Sequence, residues 1–552
     1  MQNTGGLSRR QLLGAALFAG LSVTTLSACG SGENDEGGKS LDKKRVGAMD
    51  KYGTGDQFKA TKALTFSLLH LDMPHYPRKD SWLLWKEVTR RTNVTFKVTG
   101  VPASDWDKKK SLLIGAGDAP LIISKTYPGQ ESQFVASKAI LPVSEYLDLM
   151  PNFQEKVKKW GLEGDLDSIR QADGNFYLLP GLHEKVKVGY SLTIRGDILE
   201  KEGLSAPTTW DEVHTVFKAL REAYPDVYPM SDRWGQPNPG GAFLNYLGQA
   251  YDTAGGWGYI SNAGWDPDTK KFVFTGATDQ YKKMLTFLHQ MVSEKLIDPE
   301  GFTQSDDDAK KKLLNGNSFA ISGNPQELVT YNTDIAKKIK GARMDLLPLP
   351  VGPAGEVLAG SRLENGIMIN ADALKRDDFV ALMQFVDWLW YSDAGQEFTK
   401  WGVEGTTYNK AGAGSYTLGK GVNFLNLNPD GGDKDLQRDF GFTDGVFSYG
   451  GKWSLVSSSF TDAEKKFQES MANRKLLPIA PPHPLQATEQ EQAALWETPL
   501  KAHVDQNTLK FILGKRPLSE WDKYVAELKA KNSDRLIDMH NKAYERFQKE
   551  HG

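Results

Sequence analysis

From residue 63 onward, short apolar runs alternate with stretches of helical periodicity, and this order limits the folds open to the chain. Residues 63–70 (ALTFSLLH) are typical of a buried strand, whereas residues 81–92 (SWLLWKEVTRRT) repeat apolar side chains at helical spacing. Residues 94–98, 105–114 and 120–123 continue with strand, helix and strand. Strands that alternate with helices predict a parallel α/β sheet, in which ligands bind beside the carboxyl ends of the strands.

Capping signals mark several later helices. Thr208 or Thr209 precedes an acidic first turn and predicts a helix that ends near residue 224. Thr278 precedes another helix, which ends near residue 295. Residues 488–491 (TEQE) fit a capping box, which opens a helical block at the C-terminus. Residues 266–269 (DPDT) are typical of a turn and predict a hairpin.

Charge and composition exclude some classes of function. The chain of 552 residues carries 67 Lys and Arg against 70 Asp and Glu, so it has no basic field that would hold nucleic acid. Aromatic residues make up 11% and include 14 tryptophans, more than a core needs, which suggests rings that stack on a ligand. After the N-terminal region, no run reaches the ~20 apolar residues that span a bilayer.

The single cysteine, Cys29, lies three residues after the end of an apolar run at residues 12–26, which two arginines precede. A basic start, a short apolar core and small residues before a cleavage point are typical of an export signal. Residues 26–29 (LSAC) resemble the bacterial lipobox, whose cysteine carries a lipid and begins the mature chain. We therefore predict a signal peptide over residues 1–28 and lipidation at Cys29; both twin-arginine and general export remain open.

Residues 29–61 are rich in glycine, serine and charged residues, which predicts a flexible tether. The tether would hold a folded body at the extracytoplasmic face of the cell membrane, where the lipid anchors it. A lone cysteine forms no internal disulfide, so the fold depends on its apolar core.

Catalytic and metal-binding signatures are absent from the sequence. It contains no GxSxG, HExxH, GxxxxGK[ST] or GxGxxG. His70 and His75 share one loop and four aspartates share residues 430–439, but neither spacing matches a known metal site. We predict no catalytic residue, no cofactor and no metal ion. Paired carboxylates of a glycoside hydrolase remain open, because they meet in space and not in sequence.

Several short segments together resemble one family. They are GNFYLLP at 174–180, RGDIL at 195–199, PTTWDE at 207–212, LIDPE at 296–300, PVGPAG at 350–355 and GVEGTTY at 402–408. Their order resembles bacterial extracellular solute-binding proteins of ABC importers, in the carbohydrate-binding group of LipO-like lipoproteins and alginate-oligosaccharide binders. The calcium loop of the alginate binders has no clear counterpart here.

The resemblance implies an α/β, two-lobe periplasmic-binding-protein-like fold (type II) with three crossing segments and a helical C-terminal block. We expect residues 62–190 with 362–405 in the first lobe, and residues 191–361 with 406–552 in the second. A ligand between the lobes would close them, because it binds the closed state more tightly.

The crossing segments are expected near residues 188–197, 359–365 and 401–408. Aromatic rings cover sugar faces and polar side chains bind hydroxyls, so the site is expected where both occur in these segments and in strand-end loops. The predicted ligand-binding residues are Trp401, Glu404, Tyr408, Arg362, Glu364, Asn365, Trp234, Trp257, Asp72 and Lys125. Two alternatives stay open: the two loop tryptophans fasten their loops, and Arg362 pairs with Glu364 between the lobes.

The sequence therefore predicts a lipid-anchored binding protein, not an enzyme. It would capture an oligosaccharide and deliver it to the permease subunits of an ABC transporter, acting as a monomer. The alternatives are a secreted carbohydrate-active enzyme and a ligand-sensing subunit of a membrane kinase.

Overall fold

The structure is a computed structural model that describes residues 41–551, apart from 75, 234–238, 413, 426, 429–431 and 444–448. Cys29, the export signal and most of the tether lie outside the described residues. Among the helices within the described part, none is both long and apolar enough to cross a membrane.

Strands and helices alternate along most of the described chain. The strands are β1 (Leu64–Asp72), β2 (Val94–Pro102), β3 (Ile122–Thr126), β4 (Leu179–His183), β5 (Ser191–Arg195), β6 (Tyr228–Met230), β7 (Ala263–Asp266), β8 (Lys271–Phe274), β9 (Ser318–Gly323), β10 (Met344–Leu346), β11 (Val357–Leu358), β12 (Leu363–Ile369), β13 (Tyr408–Gly412), β14 (Ser415–Leu418), β15 (Val422–Asn423), β16 (Lys434–Asp435), β17 (Gly450–Gly451) and β18 (Lys475–Leu476). The α-helices are α1 (Leu83–Thr92), α2 (Trp106–Ala116), α3 (Ser132–Val135), α4 (Pro151–Trp160), α5 (Glu163–Asp167), α6 (Gly196–Lys201), α7 (Trp210–Ala223), α8 (Gly241–Ala250), α9 (Asp279–Ser293), α10 (Asp306–Leu314), α11 (Pro325–Lys338), α12 (Phe379–Val386), α13 (Asp393–Trp401), α14 (Trp453–Val456), α15 (Asp462–Glu469), α16 (Ala487–Ile512), α17 (Trp521–Ala530) and α18 (Ser533–His551). A π-helix covers Asp387–Tyr391, and 3-10 turns cover Ala103–Asp105, Val143–Leu149, Gly256–Gly258, Thr275–Ala277, Pro299–Phe302, Ala371–Lys375, Ser457–Ser459 and Leu518–Glu520.

The first sheet has six strands in the order β17-β4-β12-β3-β1-β2. β1 pairs in parallel with β2 along its whole length and with β3, which confirms the predicted parallel α/β sheet. β12 runs antiparallel to β3 and to β4. The carboxyl ends of β1, β3 and β4 therefore lie at the same edge as the amino end of β12.

The second sheet has four strands in the order β10-β5-β9-β6. β9 runs parallel to β6 and antiparallel to β5, so the ends of β9 and β6 lie beside the start of β5. We call two edges the cleft edges. In the first sheet it is the edge with the carboxyl ends of β1, β3 and β4, and in the second sheet it is the edge with the start of β5.

One large apolar core joins the second sheet to the C-terminal helices. Leu192 of β5, Leu500 of α16, Tyr524 of α17 and Leu536 of α18 are all fully buried members of it. Burying such an apolar side chain contributes about 1.5–3 kcal/mol. The predicted helical C-terminal block is confirmed, and it is held by this core.

Two of the predicted helix caps are present. The Thr209 side chain accepts a hydrogen bond from the Glu212 amide at 3.1 Å and completes a capping box at the start of α7. Thr278 accepts from the Tyr281 amide at 3.2 Å and begins α9. Both caps satisfy amides that the first turn of a helix leaves without an internal partner.

The predicted hairpin is confirmed, and one cap is corrected. Trp265 of β7 pairs with Phe272 of β8 across the turn. At the start of α16, Glu489 accepts a hydrogen bond from the Gln486 amide at 2.8 Å. The capping residue is therefore Gln486 and not Thr488, because the helix begins earlier than the sequence pattern indicates.

The chain passes between the two sheets at residues 184–190, 347–362 and 452–461. The first two segments overlap the predicted positions, whereas the third differs from the predicted 401–408. After α13, the Thr443 amide donates back to the Thr399 carbonyl of α13 at 2.9 Å, and Gly450 of β17 pairs with Leu182 of β4. A strand of two glycines has no apolar alternation, so the sequence carries no signal for it.

The division of the chain into lobes at the predicted residues stays a prediction. Two contacts fasten residues 434–442 to the first sheet, although the sequence assigns them to the second lobe. Lys79 donates to Asp439 at 2.8 Å, and the indole nitrogen of Trp82 donates to the Arg438 carbonyl at 2.9 Å.

Candidate functional site

Aromatic rings gather where the two cleft edges meet the first crossing segment. Tyr127 directly follows β3 of the first sheet, and Tyr190 directly precedes β5 of the second. The rings of Tyr190 and Trp257 lie 5.2 Å apart, nearly perpendicular to each other. Trp257, a predicted ligand-binding residue, therefore lies beside Tyr190, and its ligand contact stays a prediction. The sequence did not single out Tyr127 or Tyr190. In the sequence, the feature that could have indicated them is that Tyr127 follows a strand and Tyr190 precedes one.

Tyr127 combines an accessible ring with a crowded hydroxyl. The residue is 47% exposed. Even so, burial of its hydroxyl, followed by the negative charge of Glu364 and the nearby phenol of Tyr190, raises the pKa of Tyr127 to about 12. A ring that solvent reaches while protein surrounds its polar end lies in a concave surface.

A buried lysine holds the loop that carries Tyr127. Lys110 of α2 is 2% exposed and donates to the Lys125 carbonyl at 3.3 Å and to the Gln130 side chain at 3.0 Å. The same Gln130 oxygen accepts from the Tyr127 amide at 3.2 Å, and Trp106 donates to the Lys125 carbonyl at 3.2 Å. Burial lowers the pKa of Lys110. These bonds fix the loop, so the ring is presented in one position.

Lys125, a predicted ligand-binding residue, lies at this edge between two rings. Its ammonium donates to the Tyr449 hydroxyl and lies 4.2 Å from the Tyr449 ring centre. The same ammonium is 5.5 Å from the ring centre of Tyr127. Cation–π contacts of this kind favour a fixed lysine over a mobile one.

Glu364 and Asp72 place carboxylates on the two sides of Tyr127. Glu364 is the second residue of β12, and one of its oxygens lies 2.7 Å from the His183 ring nitrogen at the end of β4. Asp72 ends β1 and accepts from the Arg78 amide at 2.7 Å, so it also shapes the loop that follows. Asn365 is only 1% exposed, which places it below the cleft surface.

Arg362, also predicted to bind ligand, is committed to the first lobe. Its guanidinium donates to the carbonyls of Trp160 and Gly161 at 2.7 and 2.6 Å and to Asp165 at 2.8 Å. Arg362 forms its ion pair with Asp165 and not with Glu364, which was the alternative. The sequence could not show this, because α4 and α5 are far from Arg362 along the chain.

The prediction at residues 401–408 falls on a closed cluster. Trp401 is 3% exposed, donates to Ser458 at 2.9 Å and stacks on Tyr416 at 5.0 Å. The hydroxyls of Tyr408 and Tyr416 each donate to Glu397 at 2.8 Å. We call Trp401, Tyr408, Tyr416, Glu397 and Lys410 the Trp401 cluster.

The two remaining predicted residues are Glu404 and Trp234. Glu404 is exposed, in the turn that leads to Tyr408. Trp234 lies outside the described residues. In the described part of the chain, no three His, Cys, Asp or Glu side chains gather as metal ligands.

A two-lobed α/β body with aromatic rings at facing sheet edges defines a class of binding proteins, and the comparisons agree. The chain belongs to the bacterial extracellular solute-binding proteins, whose family model matches residues 83–397. It is 25% identical over 365 residues to the fructooligosaccharide ABC transporter substrate-binding protein FusA of Streptococcus pneumoniae, which covers 62% of this chain. The match spans 61% of FusA, less than two thirds of its length.

A second relative covers more of the chain. The polygalacturonan/rhamnogalacturonan-binding protein YtcQ of Bacillus subtilis is 20% identical over 475 residues, 85% of this chain and 89% of YtcQ. Among solved structures, the alginate-binding protein AlgQ2 without calcium ion has a TM-score of 0.66 at 18% identity, covering 89% of this chain and all of AlgQ2. The crystal structure of FusA with kestose has a TM-score of 0.64 at 18% identity, covering 88% and 100%. These likenesses give the fold, a type II solute-binding protein with two lobes.

Proposed function

We propose that the protein captures an oligosaccharide between its lobes and delivers it, chemically unchanged, to the permease of an ABC importer. The observation that carries this is the set of Tyr127, Tyr190 and Trp257 at the facing cleft edges. Such rings cover the C–H faces of sugars, and the carboxylates of Asp72 and Glu364 accept hydrogen bonds from hydroxyls. Family membership supports the proposal, since the relatives FusA and YtcQ are named for carbohydrates that they bind.

The crossing segments supply a hinge for closure. Val188 and Gln468 exchange two hydrogen bonds, at 3.1 and 2.8 Å, which join the first crossing segment to α15 just beyond the third. The Glu184 amide also donates to the Gly451 carbonyl at 3.3 Å. Segments tied in this way bend together, so each lobe moves as a body. Closure then depends on the sugar, which stabilises the closed state by contacting both lobes.

We also propose that a lipid on Cys29 anchors the protein outside the cell. The lipobox-like segment at 26–29 and the tether over 29–61 support this, together with an extracellular family. Mass spectrometry of the mature N-terminus measures the lipid directly. A Cys29→Ser variant that stays on the membrane would contradict the anchor and leave sugar capture untouched.

Sugar capture is tested by binding without turnover. A thermal-shift screen of oligosaccharides should find at least one that raises the melting temperature, and calorimetry should measure its affinity. Chromatography of the sugar after incubation should return it intact, and scattering should show a smaller radius of gyration with sugar bound. Cleaved sugar would indicate an enzyme, and the absence of any binding sugar would contradict the proposal.

A further inference from the structure

The end of β3 contains a β-bulge directly before Tyr127. Between two successive pairs of the ladder, β3 has two residues where β12 has one. One of the two is Lys125, whose φ of 50° lies in the left-handed region that a residue with a β-carbon disfavours. A bulge bends its strand and redirects the side chains that follow, which here include the exposed ring of Tyr127. We call residues 125–130 the Tyr127 loop.

A buried lysine joins the two ends of the Tyr127 loop. A left-handed residue other than glycine persists only where its surroundings hold it. Lys110 and Trp106 of α2 both donate to the Lys125 carbonyl, at 3.3 and 3.2 Å. Lys110 also donates to the side-chain oxygen of Gln130 at 3.0 Å, and that oxygen accepts from the Tyr127 amide at 3.2 Å. The bulge and the amide of the exposed tyrosine are thus held through one ammonium group.

Lys110 itself lies below the cleft surface, since it is only 2% exposed. Burial lowers the pKa of its ammonium, because desolvation disfavours the charged form. Its ion-pair partner Asp107 is 3.6 Å away with a side chain that is 77% exposed, so the pair contributes little to stability. An apolar side chain of the same length would fill this space without a desolvation cost. What the lysine supplies, and an apolar residue would not, is its hold on the loop.

We propose that Lys110 is a positioning residue of the sugar site, which sets the affinity by holding the Tyr127 loop in its bulged conformation before a sugar binds. A loop that is fixed beforehand loses less conformational entropy on binding, so more of the contact energy appears as affinity. The inference rests on the proposed function, because it assigns Tyr127 to the surface that the sugar contacts.

The first test needs no sugar. In Lys110→Met, hydrogen exchange followed by mass spectrometry should be at least about fivefold faster in peptides that cover the Tyr127 loop, because the loop opens more often. The melting midpoint should stay close to that of the parent. Unchanged exchange in these peptides would overturn the positioning role, whatever the protein binds.

A second buried lysine of the first lobe provides the matched control. Lys156 of α4 is also 2% exposed, donates to the Gln396 side chain at 2.7 Å and lies 5.1 Å from the ring centre of Trp160. Its partners Gln396 and Asp393 are on α13 and not on the Tyr127 loop. Lys156→Met should leave exchange in the Tyr127 loop at the parent's rate. Equally fast exchange in both variants would show a general loosening of the lobe and overturn the assignment to Lys110.

The second test is a double-mutant cycle on affinity. The probes are the 1,4-linked tetramers of glucose, galactose, mannose and galacturonate and the fructan tetramer, and calorimetry first finds the one that binds most tightly. Lys110→Met should weaken it at least about fivefold, but less than about twofold in a Tyr127→Ala background, where no ring is left to position.

Equal losses in the two backgrounds would show that Lys110 does not act through Tyr127 and would overturn the inference. If none of the tetramers binds the parent protein, sugar capture and the effect of Lys110 on affinity are both contradicted. Hydrogen exchange separates this outcome from a failure of positioning alone.

Substitutions of Gln130 cut the same link at a half-buried position. Gln130→Leu should reproduce the loss of affinity, because leucine accepts no hydrogen bond from Lys110 or from the Tyr127 amide. Gln130→Glu should retain most of the affinity, since its carboxylate still accepts both bonds. Parent-like affinity in Gln130→Leu, or an equal loss in both variants, would overturn the inference.

Discussion

Two aromatic clusters of similar composition differ in accessibility: the Trp401 cluster lies in the first lobe, and the cleft cluster combines residues from the edges of both sheets. The Trp401 cluster combines three rings with Glu397 and Lys410, and the cleft combines Tyr127, Tyr190 and Trp257 with Glu364 and Lys125. In the Trp401 cluster, both tyrosine hydroxyls donate to Glu397, and Lys410 pairs with the same carboxylate at 2.7 Å. In the cleft, the carboxylate faces His183, and Tyr127 is 47% exposed.

Residue types alone therefore do not define a sugar-binding site. A ring binds sugar only when its face is accessible, and a carboxylate binds hydroxyls only when the protein has not already filled it. The Trp401 cluster meets neither condition and acts as a clamp between α13 and the β13–β14 hairpin. The cleft meets the first condition, because Tyr127 is 47% exposed.

A substitution in the Trp401 cluster should lower the stability of the fold more than a substitution in the cleft does. Trp401→Ala removes a buried indole that stacks on Tyr416, so we expect a loss of about 3–5 kcal/mol in folding free energy. Thermal unfolding should show a clearly lower midpoint, whereas the affinity for sugar should change little in protein that is still folded. A ligand-binding tryptophan, which the sequence predicts at this position, would instead show a loss of affinity and little change in stability.

The same measurements on a cleft tryptophan provide the control. Trp257→Ala should reduce affinity and move the melting midpoint only slightly, because its ring is half-buried. If Trp401→Ala lowered affinity and left the midpoint unchanged, the distinction between the two clusters would be lost.

A tyrosine pair gives the next largest effect. Tyr127→Ala should weaken sugar binding by about 1–2 kcal/mol, because a stacked ring is lost, and Tyr127→Phe should retain most of the affinity. Tyr416→Ala, in the Trp401 cluster, should instead lower the melting midpoint. Calorimetry and thermal unfolding of all three variants provide the comparison, and an unchanged affinity in Tyr127→Ala would remove this ring from the site.

The smallest effect concerns acid stability of the Trp401 cluster. Burial raises the pKa of Glu397, but hydrogen bonds from Lys410, Tyr416 and Tyr408 outweigh it and leave the pKa below its ordinary value of 4.5. A lowered pKa means that this carboxylate stabilises the fold above pH 4.5, and that the gain is lost as pH falls through the folded pKa.

Glu397→Gln should therefore destabilise the protein by about 1 kcal/mol at pH 7. The difference from the parent should shrink below pH 4.5. Melting midpoints of both proteins at a series of pH values measure this. A difference that grows on acidification would contradict the assigned pKa direction.

Local signals in the sequence explain why much of the fold could be predicted. The Thr209 cap, the apolar run of β1 and the hairpin between Trp265 and Phe272 depend on neighbours within a few residues. Features that depend on distant partners were missed, such as β17, whose two glycines join the first sheet only by pairing with β4. The third crossing segment was misplaced for that reason.

In the candidate site, too, local sequence signals were informative and contacts with distant residues were not predicted. Trp257, Glu364, Asp72 and Lys125 were placed at strand ends or in loops by pattern, and the structure brings them to the cleft edges. Arg362 was misjudged because its partners lie about 200 residues earlier, at Trp160, Gly161 and Asp165. Tyr127 and Tyr190, which the structure places at the cleft edges, were not singled out because the sequence does not show which tyrosines are exposed.

Short segments in a fixed order were enough to predict the alternation of strands and helices, the caps of individual helices and the family. Which rings remain accessible, and which carboxylates already have hydrogen-bond partners, became visible only in the folded molecule. Those properties arise from contacts between residues that are not sequence neighbours, from 11 positions apart for Tyr408 and Glu397 to 181 for His183 and Glu364, and such contacts exist only once the chain has folded.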